Sequence, residues 1–272
     1  MKVDFDLAGK VAVVTGGGGA IGGAIAAALA EQGVSIAIWD INQSAAELKA
    51  DEINSAGTTA IGLKCDISAI ESIALAFDVT VKKLSNVNFL INSAGGSSKS
   101  TTTSTELPFS DLHVDDMIHV FLQNYMGTVI SSQFVAKQFI KNNSGVILNI
   151  SSIAGILPLT RALSYSDAKA AVNSFTRWLA VHMAQNYSVN IRVNAIAPGF
   201  ILTNQNRFLL IDETSGELTE RGQQIFRSVP MARFGEVQEV ADAALWLLSD
   251  RASFITGAVI PVDGGYTAFS GV

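Results

Sequence analysis

A single cysteine, Cys65, stands in a chain of 272 residues, so no disulfide can close within it and nothing asks for an oxidising compartment. Charge is scarce. Only 15% of residues are Asp, Glu, Lys or Arg, and 18 cations against 24 anions leave a formal net charge of −6. Such a chain lacks the clustered cations that grip a phosphate backbone, which argues against a nucleic-acid partner. Long apolar runs are missing as well. The longest, Ala20 to Ala30, is about half a membrane span and is interrupted by Gly22 and Gly23, so no membrane partner is expected. Met1-Lys2-Val3-Asp4-Phe5-Asp6 brings acidic residues before any apolar stretch, which shows no secretory core. The three histidines, His113, His119 and His182, have no spacing suited to zinc, and no metal is inferred. The expectation is a soluble, cytoplasmic protein.

What is present is an alternation of short apolar runs with longer helix-like segments. Strands are predicted at 11–14, 35–39, 60–64, 89–91, 145–150, 191–196 and 258–262. Helices are predicted at 20–32, 43–55, 70–84, about 109–142, 164–187 and 237–248. The strands read as nearly continuous apolar runs, the pattern of a parallel sheet covered on both faces. Strand, helix, strand repeated through the chain predicts an α/β fold, a doubly wound parallel sheet of about seven strands. No linker divides it, so residues 1–272 read as a single domain. Two segments, 95–108 and 198–234, are too long for simple connections and follow strand ends, where open α/β sheets place their ligands. The second reads as a helical lid.

The first strand runs into Thr15-Gly16-Gly17-Gly18-Gly19-Ala20-Ile21-Gly22, directly before a helix. Glycines there permit a sharp turn and let a diphosphate approach the backbone, while the helix N-terminus offers unpaired N–H groups and partial positive charge. No Lys-Ser/Thr pair follows, so a nucleoside triphosphatase loop is not indicated. Asp40 ends the second strand, 24 residues after Gly16. A carboxylate there can accept bonds from ribose hydroxyls and would repel a 2′-phosphate, which favours NAD over NADP. The same residue also reads as a cap for the helix from Gln43. Asp66-Ile67 and Asn92-Ser93-Ala94-Gly95 recur at the same sheet edge.

Tyr165 and Lys169 lie four apart on the long helix after the fifth strand, hence on one face. A phenol ionises near pH 10 in water, and a fixed ammonium beside it would stabilise the phenolate. An exposed surface pair is the competing reading. Ser152 ends the fifth strand at the same sheet edge, and Asn124 is a polar residue in an apolar stretch, able either to serve the site or to bond backbone.

These motifs together resemble the short-chain dehydrogenase/reductase family. Thr15-Gly16-x-x-x-Ala20-Ile21-Gly22, Asn92-Ser93-Ala94-Gly95, Asn124, Ser152, Tyr165-x-x-x-Lys169, Pro198-Gly199-Phe200-Ile201-Leu202-Thr203 and Val262-Asp263-Gly264-Gly265 occur in that family's order. Ala20 and Ser93 are small variants of commoner Gly and Asn. The resemblance implies a Rossmann-like oxidoreductase acting on a CH–OH group, with Tyr165 as general acid or base and Lys169 lowering its pKa. It further implies that Ser152 binds the substrate carbonyl and that Asn124 fixes a relay water. The implied cofactor residues are Gly16, Gly19, Ile21, Asp40, Asp66, Ile67, Asn92, Ala94, Tyr165, Lys169, Pro198, Gly199, Ile201 and Thr203. A homotetramer is expected by resemblance alone.

The segments around 198–207, 218–222, 230–235 and 264–272 resemble the D-mannonate oxidoreductase (fructuronate reductase) branch, which implies a sugar-acid substrate. Arg207 is the first candidate to grip its carboxylate, Arg161 the second and Lys99 the third. The Ser/Thr-rich loop from Gly96 and Asp167 inside the tyrosine motif depart from expectation. Another polyol, keto-sugar or 3-oxoacyl substrate is the alternative.

Overall fold

The structure, a computed structural model, describes residues 4–203, 207–212 and 215–271. Its strands are β1 (Val11–Thr15), β2 (Ser35–Asp40), β3 (Ala60–Lys64), β4 (Phe89–Asn92), β5 (Gly145–Ile150), β6 (Ile191–Pro198) and β7 (Val259–Val262). They form one sheet in the order β3-β2-β1-β4-β5-β6-β7, with every neighbouring pair parallel. Chain order reverses between β1 and β4, so a crevice opens beyond their C-terminal ends, where such sheets bind ligands.

Alternate residues of each strand feed two separate cores. One face packs Ala12, Val14, Ile36, Ile38, Ile91 and Leu148 against α1 (Ala20–Glu31), α2 (Gln43–Ser55) and α9 (Val237–Leu248). The other packs Val13, Ala37, Trp39, Leu90, Ile147 and Val193 against α3 (Ile70–Leu84), α5 (Gly127–Asn142) and α6 (Leu163–Asn186). Burial on both faces is why these strands read as unbroken apolar runs. Among the described residues no helix is long and apolar enough to cross a membrane.

Two segments differ from the sequence reading. The helix expected from Phe109 begins instead with a short 3-10 turn, Phe109–Asp111, and becomes regular only at α4 (Val114–Phe121), whose first turn carries Asp115 and Asp116. It then widens into a π turn, Leu122–Met126, where Gly127 N bonds the Leu122 carbonyl five residues back, before continuing as α5. An inserted residue of this kind shifts every later side chain around the helix, which periodicity cannot show. After β6 the chain carries α7 (Arg207–Leu210) and α8 (Glu220–Ser228), the helices of the expected lid. The Thr219 hydroxyl caps α8 by accepting from Gly222 N.

Candidate active site

The glycine loop is shaped by what surrounds it. Gly16 turns at φ +63°, and a Cβ there would meet Ala94 Cα at 2.7 Å, so only glycine lets β1 and the loop after β4 approach so closely. The N-cap of α1 is Gly19, with no side-chain cap and no acidic residue in the first turn. The helix therefore presents backbone N–H groups and partial positive charge to the crevice, the requirement for seating a diphosphate. At the end of β2, Asp40 accepts from Gly18 N (3.0 Å) and from Asn42 N (2.9 Å). Asn42, not Asp40, caps α2, its Oδ1 accepting from Ala45 N at 3.2 Å. That removes the capping explanation for Asp40 and leaves its carboxylate on the crevice rim.

The crevice holds about 450 Å³ and is lined by Gly16, Gly19, Ile21, Asp40, Asp66, Ile67, Ala94, Ser152, Tyr165, Lys169, Pro198, Gly199, Ile201 and Thr203. Its floor at the chemical end comes from β5 and α6. Lys169 is only 5% exposed, and its Nζ donates to the Ile150 carbonyl (2.9 Å) while lying 5.6 Å from the centre of the Tyr165 ring. Burial lowers the ammonium's pKa to about 8. Burial pushes the Tyr165 phenol above its ordinary value, and a hydrogen bond with Ser152 offsets part of that rise. Desolvation of the phenolate outweighs what Ser152 returns. Neighbouring Ser151 has a different task. Its hydroxyl donates to Asn173 Oδ1 (2.6 Å), tying β5 to α6.

Two residues named from the sequence face elsewhere. Asn92 does not line the crevice: it is buried below, its Nδ2 donating to Ser132 Oγ (3.0 Å) and Asn149 Oδ1 (2.9 Å), because its strand position points to the α5 side. Asn124 is fully buried, and its amide clamps a loop. Oδ1 accepts from Gly96 N (3.0 Å), while Nδ2 donates to the Gly96 and Val120 carbonyls (2.8 Å each). A Cβ on Gly95 would run into Asn124 Oδ1, so glycine is required there at φ +139°. With both amide ends on backbone, Asn124 shapes the crevice wall, and the relay-water role has no support in its side-chain bonds.

The cationic candidates lie outside the lining. Arg207 is exposed, but its backbone N bonds the Thr203 carbonyl (2.9 Å), one helical turn from a crevice residue. Arg161 is exposed on the loop before α6, where its carbonyl accepts from Thr103 N (2.9 Å), joining the two loops. Lys99 is exposed at the start of a 3-10 turn.

A family model described as enoyl-(acyl carrier protein) reductase matches residues 18–267. The chain belongs to the short-chain dehydrogenase/reductase family. This dehydrogenase/reductase is 38% identical to an uncharacterized oxidoreductase of Bacillus subtilis, over 98% of both chains. It is 35% identical to the 7alpha-hydroxysteroid dehydrogenase of Escherichia coli, over 95% of this chain and 94% of the other. A solved Haemophilus structure with bound NAD, carrying the working description D-mannonate oxidoreductase, is 39% identical with a TM-score of 0.92 over 98% of both chains. The chain is therefore an oxidoreductase. Because relatives on this scaffold bear names for different substrates, substrate choice has to be argued from the site.

The sequence reading of this dehydrogenase/reductase missed several wall residues: Cys65, Gly96, Gln123 and Phe200. Gln123 belongs to the π turn, which no periodic pattern reveals. Cys65 is buried and its thiol is pushed up to about 11 by burial, so it remains protonated at neutral pH while forming part of the wall. Asp66 sits at the end distant in sequence from the phenol, and hydrogen bonds from Ser68 hold its carboxyl below the usual range.

Proposed function

We propose that the enzyme is an NAD-dependent dehydrogenase of a sugar acid, interconverting D-mannonate and D-fructuronate. The observation that carries the dehydrogenase reading is convergence: Ser152, Tyr165 and Lys169 share one crevice with the glycine loop and the Asp40 carboxylate. The crevice fits a dinucleotide, with the Gly16–Gly22 turn and the α1 N-terminus for the diphosphate and Asp40 for the adenosine ribose. Bound NAD supplies the hydride acceptor and, once seated, a positive ring beside the phenol. The chain's own residues do the rest. Ser152 holds the reacting oxygen against Tyr165, Tyr165 takes or gives the proton, and Lys169, itself held by the Ile150 carbonyl, bears the adjacent charge. Thr203 and Ile201, after β6, wall the nicotinamide end.

The sugar-acid reading rests on the resemblance of the 198–235 segments, on the working description of the Haemophilus neighbour, and on Arg207 lying one turn beyond Thr203. A guanidinium fork there suits a substrate carboxylate. Arg207→Ala is expected to raise KM for D-fructuronate roughly tenfold, as loss of a charge-assisted bond implies. KM for a neutral ketose should hardly move, and equal effects on both would dismiss the anchor. The defining experiment is NADH oxidation with D-fructuronate against a panel of ketoses and a 3-oxoacyl thioester. Faster turnover of any neutral substrate would remove the sugar-acid assignment and leave the dehydrogenase.

A pH profile follows from the pair. The first proton lost on raising pH is that of the Lys169 ammonium, near pH 8. A neutral Lys169 amine can take on the proton that Tyr165 accepts from the alcohol, so oxidation should climb as pH passes about 8, and ketone reduction should decline over the same interval. Initial rates in both directions between pH 6 and pH 10 (on the order of the window set by these groups) check this. A flat oxidation profile would contradict it.

A further inference from the structure

Thr15, Trp39, Asn92 and Asn149 stand in register at the C-terminal ends of four neighbouring strands. Three of them reach a hydroxyl on the helix covering that face. Trp39 Nε1 donates to Thr80 Oγ1 on α3 (3.0 Å), Asn92 Nδ2 to Ser132 Oγ on α5 (3.0 Å), and Asn149 Nδ2 to Thr176 Oγ1 on α6 (2.8 Å). Each hydroxyl in turn donates its proton to the carbonyl four residues earlier: Thr80 to Ala76 (2.7 Å), Ser132 to Thr128 (2.7 Å) and Thr176 to Val172 (2.8 Å). The hydroxyl is thereby fixed as an acceptor facing its strand. All six residues are buried within a face packed mainly by apolar side chains. Apolar packing tolerates a small slide of a helix along its axis, whereas a hydrogen bond of this length does not.

The α6 anchor bears on catalysis. Tyr165, Lys169, Val172 and Thr176 repeat at helical spacing along the side of α6 that meets the sheet, and Asn149 on β5 lies three residues before Ser152, which follows the strand end. The geometry points to Asn149 and Thr176 as a positioning pair that locks α6 in axial register with β5, so that the phenol and the ammonium meet Ser152 and the Ile150 carbonyl. Both are fully buried and neither lines the crevice, so they act only through the groups they hold. Asn92 braces the pair from β4 by donating to Asn149 Oδ1 (2.9 Å). A helix rises about 1.5 Å per residue, so a slide of a fraction of one residue would displace both catalytic groups together. Misplacement by about 1 Å can cost on the order of 10²-fold in rate.

The inference rests on Tyr165 being the proton-transfer residue, and its test keeps the two apart. Thr176→Val removes the hydroxyl at constant shape, Thr176→Ser retains it, and Asn149→Leu with Thr176→Val removes both partners of the bond and unpairs only the Asn92 N–H that Asn149 accepts. These are assayed as full-length enzyme with NAD and the best substrate of the panel, beside Tyr165→Phe. Thr176→Val and the double variant should lower kcat about tenfold or more, leave KM for NAD within about twofold, and shift the midpoint of the oxidation pH profile; Thr176→Ser should restore both. If whichever of the first two variants folds keeps its kcat and pH midpoint, even with a lower melting temperature, the bond is merely structural and the positioning role is overturned. Retained turnover in Tyr165→Phe would instead remove the catalytic reading, and the pair would have nothing to position.

Discussion

Tyr165→Phe should reduce turnover by about 10²–10⁴-fold while leaving NAD affinity nearly unchanged. The phenol hydroxyl bonds Ser152, and the Lys169 Nζ lies 5.6 Å from the centre of its ring. Removing it deletes the proton donor of ketone reduction but leaves the ring, so the wall of the crevice keeps its shape. Lys169 would still be held by the Ile150 carbonyl at 2.9 Å, so this part of the crevice should not collapse. Single-turnover hydride transfer together with a fluorescence titration of NADH separates the two effects. Turnover within tenfold of the parent would take Tyr165 out of its role. Loss of NADH binding would show that the hydroxyl itself holds the cofactor.

Asp40→Asn should move the ratio of NADP to NAD efficiency upward by about tenfold. Two unit charges about 4 Å apart at an effective dielectric near 20 repel by roughly 4 kcal/mol. The half-exposed rim screens this, and a residue of about 1.4 kcal/mol corresponds to the tenfold change. Asparagine is the better probe than alanine, because its carbonyl can still accept the Gly18 N–H that Asp40 accepts at 3.0 Å. The glycine turn then keeps its bond, and what is lost is the charge together with the bond from Asn42 N (2.9 Å), which lies on the far side of the carboxylate. Steady-state kinetics with both cofactors reads the ratio directly. An unchanged ratio would mean that Asp40 serves only to hold the loop.

Much of this was legible before any coordinates. The strands were readable because burial on two faces demands unbroken apolar runs, and β3, β5, α2, α3 and α9 fall at the expected bounds. The glycine turn was readable because backbone contact leaves no room for a Cβ. The stretch from Phe109 to Asn142 was not, since a 3-10 turn and a π turn are compatible with the same apolar pattern. Asn92 looked like a site residue because its motif ends at the crevice, yet strand alternation turns its side chain under the sheet. Asn124 raised the choice between serving the site and bonding backbone, and its three bonds to Gly96 and Val120 decided for the backbone.

The order of residue types along the chain was enough to specify a parallel layered sheet, a phosphate-cradling turn, and a phenol four residues from an amine, since each depends on local spacing and backbone sterics. Direction, burial and register were decided by folding. The amine's loss of basicity, the phenol's loss of acidity, and the hydroxyl anchors that align α6 with β5 all arise where segments distant in sequence exclude water together. Desolvation is a property of that enclosure, and no single segment carries it.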